Sequence, residues 1–382
     1  MSTISDYLDW RGDLTFAVSP FNEVDNYVIS KIGTADFQGI VPPDGGVTVA
    51  EAVERLQAAG RTELNVLASK KIMPTILRLP SLPRYAQLTL WDYEAVFSAD
   101  ESEQFSALTV GLPDGSWYVS FRGTDDSLIG WKEDLMMGVE ENVKAQLDAG
   151  DYLCRVAAQL PGPLIVGGHS KGGNLAVYAA ATAPEEVQKR IVTVYNNDGP
   201  GFRANFLETE GYRRIRDRIV TLISQYSLVG TLLTQDRTVI VKSITAGVPA
   251  HDGFNWAVKG TSFVRCEALS RGSELFDSAM QTTLNGTSME EARKFVDGVF
   301  EVLGATGADS IKDLTENKLR SAVSIVGALR QDTEVKRFVM QFLEIYVREL
   351  RGVETEEAET GEKAETKKSA RGKRKSSVST ES

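Results

Sequence analysis

The apolar residues of the chain follow two periods, which divide it into predicted strands and helices. Short apolar runs at 105–112, 117–121, 164–166, 191–195, 219–223 and 238–243 are typical of strands. Between them lie segments with helical spacing, among them an amphipathic stretch at 139–160. Strands that alternate with helices favour an α/β fold with a mostly parallel central sheet, packed on both faces.

The sequence on either side of this alternating region is predicted to be helical. We interpret residues 1–85 as a helical lead-in or cap packed on the core, and 86–275 as the core itself. A capping box at Ser288-Met-Glu-Glu291 precedes helical spacing, so a helical extension is expected over 286–352. Residues 353–382 are polar and highly charged, and we expect a disordered tail because they offer little apolar surface to bury.

A glycine-rich sequence follows the predicted strand at 164–166. Gly168-His169-Ser170-Lys171-Gly172 matches G-x-S-x-G, the nucleophile elbow, in which a serine lies on a tight turn between a strand and a helix. Glycine on both sides of the serine permits the close crossing of strand and helix that this turn requires. Ser170 is therefore the predicted nucleophile, and the alternative is an incidental serine in a glycine-rich turn.

The chain contains only two histidines, and this limits the choice of a general base for the serine. His169 directly precedes Ser170, so its side chain should point away from the serine hydroxyl. His251 lies in the loop at 247–253, after a predicted strand and downstream of the serine, where α/β-hydrolases place the base. The sequence therefore predicts His251 as the base and a steric role for His169.

The acid that orients the base is predicted to be Asp198. This residue ends the strand after the elbow helix, and it gives the chain order serine, aspartate, histidine of the α/β-hydrolases. Asp236 and Asp252 are the alternatives. Asp236 precedes a strand and should lie at the opposite edge of the sheet, and Asp252 is the sequence neighbour of His251, which disfavours a contact with the same ring.

The oxyanion formed during acyl transfer needs two convergent hydrogen-bond donors. One predicted donor is the backbone N–H of Lys171, the residue after the serine. The other is expected from the loop that follows an earlier strand, where Thr124 offers its N–H and its hydroxyl.

Several of these motifs together resemble known lipases. Phe-Arg-Gly-Thr at 121–124, Trp131-x-x-Asp134 and Gly-His-Ser-x-Gly-Gly resemble the class 3 (fungal-type) lipases. The segments at 7–13, 20–25, 197–202 and 250–256 resemble more closely a bacterial family of lipase-like α/β-hydrolases, over roughly 1–275. The resemblance implies an α/β-hydrolase fold and an ester-hydrolase triad, with the substrate unassigned. Lys171 replaces the leucine common in class 3 lipases, and Ser227 lies about where they carry the acid, so Asp198 would be its substitute.

These observations lead to a serine hydrolase as the predicted function. It would cleave carboxylic esters or thioesters of a lipid-like small molecule by a Ser-His-Asp triad through an acyl-enzyme, and no metal or organic cofactor is implied. A catalytically idle scaffold that binds an acyl ligand or a partner protein is the alternative. Acyl transfer to an acceptor other than water cannot be separated from hydrolysis at the level of sequence.

Composition adds limits on location and partners. The chain has 382 residues and a net charge of −11, which argues against specific binding of nucleic acid. Two cysteines, Cys154 and Cys266, are far apart, and the amino terminus lacks the pattern of a signal peptide, so we expect a cytoplasmic protein. The lysines and arginines at 367–375 would make weak contact with an anionic membrane surface, unless they form a solvated tail only.

Overall fold

The computed structural model describes residues 1–64, 70–98, 103–123, 136–137 and 142–285, together with residues 290, 291, 293, 294 and 297. Most of the predicted extension over 286–352 and the whole of the predicted tail at 353–382 lie outside the described residues, as do the motif residues Trp131 and Asp134. Among the helices of the described part, none is long and apolar enough to cross a membrane.

An eight-stranded sheet forms the centre of the described residues, and its strands lie side by side in chain order. The first four strands pair antiparallel, and the pairs from β4 to β8 are parallel. The strands are β1 Val47–Thr48, β2 Thr89–Ser98, β3 Glu103–Gly111, β4 Trp117–Phe121, β5 Leu164–His169, β6 Ile191–Asn197, β7 Ile219–Ser224 and β8 Val239–Val241. A separate two-stranded hairpin contains β9 Val258–Lys259 and β10 Ser262–Phe263.

Helices surround this sheet, and several short connections are single 3₁₀ turns. The predicted helix at 139–160 begins at residue 144, because the side chain of Gln146 accepts the backbone N–H of Val143 and caps the first turn. The helices are α1 Ile4–Arg11, α2 Glu23–Ser30, α3 Val49–Ala58, α4 Ile72–Arg78, α5 Lys144–Gln159, α6 Lys171–Thr182, α7 Glu185–Arg190, α8 Ala204–Leu207, α9 Glu210–Ile215 and α10 Arg271–Asn285.

Both faces of the sheet are covered by apolar side chains, because neighbouring residues of a strand point to opposite faces. On one face the sheet packs against the lead-in helices, in a core that includes Ile4, Tyr27, Leu56, Leu108, Ile165 and Leu222. On the other face it packs against α5, α6 and α9, in a core that includes Val119, Leu153, Val166, Leu175, Val194 and Tyr212. A mostly parallel sheet between two helical layers is the α/β-hydrolase arrangement, and the predicted fold class is confirmed.

Strand β2 was not predicted from the sequence. It pairs with β3 along its length, but the register shifts between Trp91 and Glu94. At this irregularity Asp92 adopts a positive φ of 49°. An extra residue reverses the alternation of inward and outward side chains, and this removes the period of two by which a strand is recognised.

A buried ion pair fixes α2 against the rest of the lead-in segment. Arg84 Nη2 lies 2.5 Å from Asp25 Oδ2, and neither side chain is accessible to solvent. The hydroxyls of Tyr7 and Tyr85 donate to the other carboxylate oxygen at 3.0 and 2.7 Å. Because a buried charge without partners is costly, this set of bonds favours a single position of α2.

Candidate active site

Ser170 lies between β5 and α6 in a strained backbone conformation, with φ of 57° and ψ of −132°. Such a conformation is unfavourable for a residue with a side chain and is found mainly at functional turns. The crossing of strand and helix is close. A Cβ atom at Gly172 would lie 2.1 Å from the backbone oxygen of Phe121, and one at Gly168 would lie 2.3 Å from the backbone of Gly172. The two glycines of the motif are therefore required by the packing of the turn.

Backbone hydrogen bonds hold the serine beside the end of the next strand. The N–H of Ser170 donates to the carbonyl oxygen of Asn197 at 2.9 Å, and the carbonyl oxygen of Ser170 accepts the N–H of Gly173 at 2.8 Å. Asp198 follows Asn197 directly, so the predicted nucleophile and the predicted acid lie at the same carboxyl edge of the sheet. Ligands of open α/β sheets bind at this edge.

The predicted base and acid are in contact. His251 Nδ1 lies 2.7 Å from Asp198 Oδ2, with the carboxylate inaccessible to solvent and the histidine side chain 24% exposed. The other oxygen, Oδ1, accepts the backbone N–H of Ser224 at 3.1 Å. Because a carboxylate only accepts, Nδ1 of His251 carries the hydrogen. Its other ring nitrogen, Nε2, is then available to accept a proton.

The two alternative acids have other partners. Asp236 forms a two-bond ion pair with Arg216, in which Nη2 and Oδ1 are 2.6 Å apart, on the side of the sheet where β7 begins. Asp252 accepts the backbone N–H of Phe254 at 3.0 Å and the hydroxyl of Tyr27 at 3.4 Å. Neither carboxylate contacts the ring of His251 in the described residues.

Ser227 lies beside Asp198. Its hydroxyl oxygen accepts the N–H of Gly230 at 2.8 Å. A Cβ atom at Gly230 would lie 2.6 Å from Asp198 Oδ1 and 2.8 Å from Ser227 Oγ. The carboxylate, the serine and this glycine are thus packed together in one buried corner.

Within the described residues, no hydrogen bond joins the hydroxyl of Ser170 to the ring of His251. Hydrogen bonds between catalytic groups are often long in the absence of substrate. The pairing of the nucleophile with its base therefore stays a prediction.

His169 contacts His251 in a way that the sequence did not indicate. Its Nε2–H donates to the carbonyl oxygen of His251 at 2.8 Å, and the two rings lie 4.5 Å apart. On its other side the ring packs edge-on against Tyr27 at 5.4 Å. Burial, with smaller effects of the nearby Lys31 and His251, lowers the pKa of His169 well below its ordinary value. His169 is therefore a neutral hydrogen-bond donor that fixes the backbone of the predicted base.

Tyr27, from the lead-in helix α2, holds the same loop. Its hydroxyl accepts the N–H of Gly253 at 2.7 Å, and its ring lies 5.4 Å from that of Trp256. The indole N–H of Trp256 in turn donates to the carbonyl oxygen of Ala250 at 2.9 Å. The loop that carries the predicted base is thus anchored by a residue more than 200 positions earlier, which no local pattern could have indicated.

One of the two predicted oxyanion donors can be located. Lys171 is the first residue of α6, where backbone N–H groups have no partner within the helix. Its side chain is buried, and Nζ donates to the carbonyl oxygen of Gln104 at 2.7 Å. Thr124 lies outside the described residues, although Gly123 is close to the elbow: a Cβ atom there would lie 3.3 Å from Ser170 Cβ. Among the described residues, no group of three or more potential metal ligands is found.

A comparison of sequences identifies the family. The sequence model of the Mbeg1-like family matches residues 79–301, which is more than half of the chain. The chain belongs to the Mbeg1-like family. The match confirms the predicted resemblance to a lipase-like family. The expectation that the family is bacterial stays a prediction. No curated protein sequence matches the chain at a significant level.

Solved structures similar to this Mbeg1-like protein include three lipases. The Rhizomucor miehei lipase in complex with its propeptide is 15% identical, with a TM-score of 0.35, over 58% of this chain and 68% of the lipase. The lipase of Rhizopus microsporus var. chinensis is also 15% identical, with a TM-score of 0.35, over 63% of this chain and 77% of the lipase. The M37 lipase is 16% identical, with a TM-score of 0.28, over 37% of this chain and 57% of its own length, which is less than two thirds. Similarity at this level carries no argument about activity.

Proposed function

We propose that this Mbeg1-like protein is a serine hydrolase that cleaves carboxylic esters or thioesters of lipid-like acids. The observation that carries the proposal is the 2.7 Å contact of His251 Nδ1 with the buried carboxylate of Asp198, at the sheet edge that also holds Ser170 in its strained elbow. A nucleophile on a strained turn and an imidazole oriented by a buried carboxylate are the parts of a Ser-His-Asp triad.

In the first half of the reaction, the hydroxyl oxygen of Ser170 attacks the acyl carbon. Nε2 of His251 takes the serine proton, and the carboxylate of Asp198 stabilises the imidazolium that forms. The bond to the leaving alcohol or thiol then breaks, and the leaving group takes the proton from Nε2. An acyl ester of Ser170 remains.

In the second half, water attacks the acyl-enzyme with His251 again acting as the base, and the free acid and the serine hydroxyl are released. Negative charge develops on the acyl oxygen in both halves. The backbone N–H of Lys171, at the start of α6, is the proposed donor to this oxygen. Thr124 is proposed as the second donor.

The direct test is labelling with a fluorophosphonate probe, which reacts with activated serines. We expect labelling of the wild-type chain, none in Ser170→Ala, and a loss of ester turnover by several powers of ten in this variant and in His251→Ala. Ser81→Ala, at an exposed serine, is the matched control and should behave as the wild type. Labelling that persists in Ser170→Ala would contradict the proposal.

The same experiment separates the alternative function. A folded wild-type chain that takes no label and hydrolyses no ester would favour the idle scaffold that binds an acyl ligand or a partner protein. If labelling occurs, p-nitrophenyl esters of graded chain length identify the acyl group preferred. Analysis of products in the presence of alcohols and amines then distinguishes hydrolysis from acyl transfer.

A further inference from the structure

Lys31 lies at the end of α2, next to the proposed site, and has no role in the mechanism above. It caps α2 at its C-terminal end, where its backbone N–H donates to the carbonyl oxygen of Val28 at 3.1 Å. The preceding residue, Ser30, accepts a hydrogen bond at 3.4 Å from the hydroxyl of Ser120 in β4. The end of α2 therefore packs against the strand that leads into the predicted oxyanion loop.

The side chain of Lys31 is largely buried, and its ammonium group has no acceptor among the described residues. The residue is only 7% exposed, and in the described part of the chain no oxygen lies within hydrogen-bond or ion-pair distance of Nζ. Its one described contact is with the face of the Tyr27 ring, at 5.1 Å from the ring centre. A buried lysine is almost always paired, because desolvation of an unpaired charge is costly.

Charged groups of both signs lie near Lys31, which itself is close enough to His169 to affect the pKa of that histidine. Phe121 pairs with Gly168 in the parallel register of β4 and β5, which places Arg122 alongside His169. Burial is the main reason that the pKa of Lys31 is lowered to about 7; the charge of Asp252 opposes this shift, and the weaker effect of Arg122 adds to it. Asp252 forms no direct ion pair with Lys31, since its described contacts are with Tyr27 and Phe254.

We propose that Lys31 forms a subsite for an anionic oxygen group of the substrate, a carboxylate or a phosphate. Such a group would supply the acceptor that Nζ lacks, next to the elbow. The substrate class is then an ester or thioester that carries a negative charge near the bond cleaved. This inference rests on the proposed hydrolase function for its substrate, but the binding site can be tested without it.

Binding is tested with inorganic sulfate, whose charge does not change between about pH 6 and pH 9. Titration calorimetry compares the wild type with Lys31→Met, Lys31→Gln and the exposed control Lys259→Met. At about pH 6 we expect both Lys31 variants to bind sulfate at least about tenfold more weakly than the wild type, as for the loss of a charged hydrogen bond. Lys259→Met should bind as the wild type does.

The pH dependence of binding follows from the state of the groups around Nζ. His169 and Tyr27 stay neutral, because burial lowers the pKa of the histidine and raises that of the tyrosine. Lys31 is charged below about pH 7 and loses its proton above it, so wild-type binding should weaken towards pH 9. Wild-type binding that is absent at about pH 6, or equal in wild type and both Lys31 variants, would overturn the proposal.

The substrate is tested with matched ester pairs. One pair compares the p-nitrophenyl esters of suberic and octanoic acid, and the other compares a lysophosphatidic acid with the monoacylglycerol of the same acyl chain. We expect a wild-type preference in kcat/KM for the anionic member of at least one pair, reduced at least about tenfold in Lys31→Met. The first pair places the charge on the acyl side, and the second on the alcohol side.

Failure of the subsite and failure of the hydrolase can be told apart. If neutral esters are cleaved and Lys31→Met loses no preference for the anionic ester, the proposed substrate class is wrong and the proposed hydrolase function stands. If the chain shows neither turnover nor fluorophosphonate labelling but binds sulfate in a way that depends on Lys31, the proposed hydrolase function is wrong and the subsite is supported. Thermal unfolding of each variant verifies that it is folded. If Lys31→Met is not folded, Lys31→Gln replaces it in these measurements.

Discussion

The carboxylate of Asp198 accepts a hydrogen bond on each oxygen, and this limits what an amide could do in its place. Oδ1 accepts the backbone N–H of Ser224 at 3.1 Å, and Oδ2 accepts Nδ1–H of His251 at 2.7 Å. The substitution Asp198→Asn keeps the shape of the side chain but turns one acceptor into a donor. Because the group is fully buried, the new donor has to find its partner among these neighbours.

Each orientation of the amide has a cost. With its oxygen at Ser224, the amide NH₂ faces Nδ1 of His251, so the ring hydrogen moves to Nε2, the nitrogen that has to accept the serine proton. With its oxygen at His251, two donors face each other at Ser224, which costs about 1–3 kcal/mol for an unsatisfied buried group. The first orientation should prevail, and kcat/KM should fall on the order of 10⁴-fold, or about 5 kcal/mol of transition-state stabilisation.

The assay is steady-state hydrolysis of a p-nitrophenyl ester, with urea unfolding to verify that each variant is folded. Asp236→Asn is the matched control: its carboxylate pairs with Arg216 near the surface, so we expect activity within about twofold of the wild type. Asp252→Asn should lose less than Asp198→Asn, because its carboxylate contacts Tyr27 and not the ring. A folded Asp198→Asn variant that loses less than about tenfold in kcat/KM would refute this reasoning.

Two further predictions concern the residues that hold the loop of His251. His169→Ala removes the hydrogen bond to the carbonyl oxygen of His251, which is worth about 1 kcal/mol. Ester turnover should therefore fall about tenfold or less, and fluorophosphonate labelling should persist. A loss of turnover as large as that in His251→Ala would mean that the roles of the two histidines are misassigned. Tyr27→Phe leaves the buried N–H of Gly253 without its acceptor, and the free energy of unfolding in urea should fall by about 1–3 kcal/mol. An unchanged midpoint for Tyr27→Phe would contradict the anchoring of the loop by α2.

The sequence by itself determined the local features of this protein. Short apolar runs between helical segments predicted β3 to β8, since strand and helix formation depend on the spacing of neighbouring side chains. The glycines around Ser170 predicted a turn that only residues without a Cβ atom permit. The order of Ser170, Asp198 and His251 predicted which side chains meet at the carboxyl edge of the sheet, and the contact of the last two is present at 2.7 Å.

The tertiary structure decided which distant segments complete the site. The sequence indicated no chemistry in residues 1–85, yet α2 places Tyr27 against the loop of His251 and Ser30 against β4. These contacts join residues about 90 to 226 positions apart, and they depend on the packing of whole elements and on a buried ion pair that fixes α2. The pattern of a segment records which of its faces is buried, but not which partner covers that face, and so the contribution of the lead-in helices had no signal in the sequence.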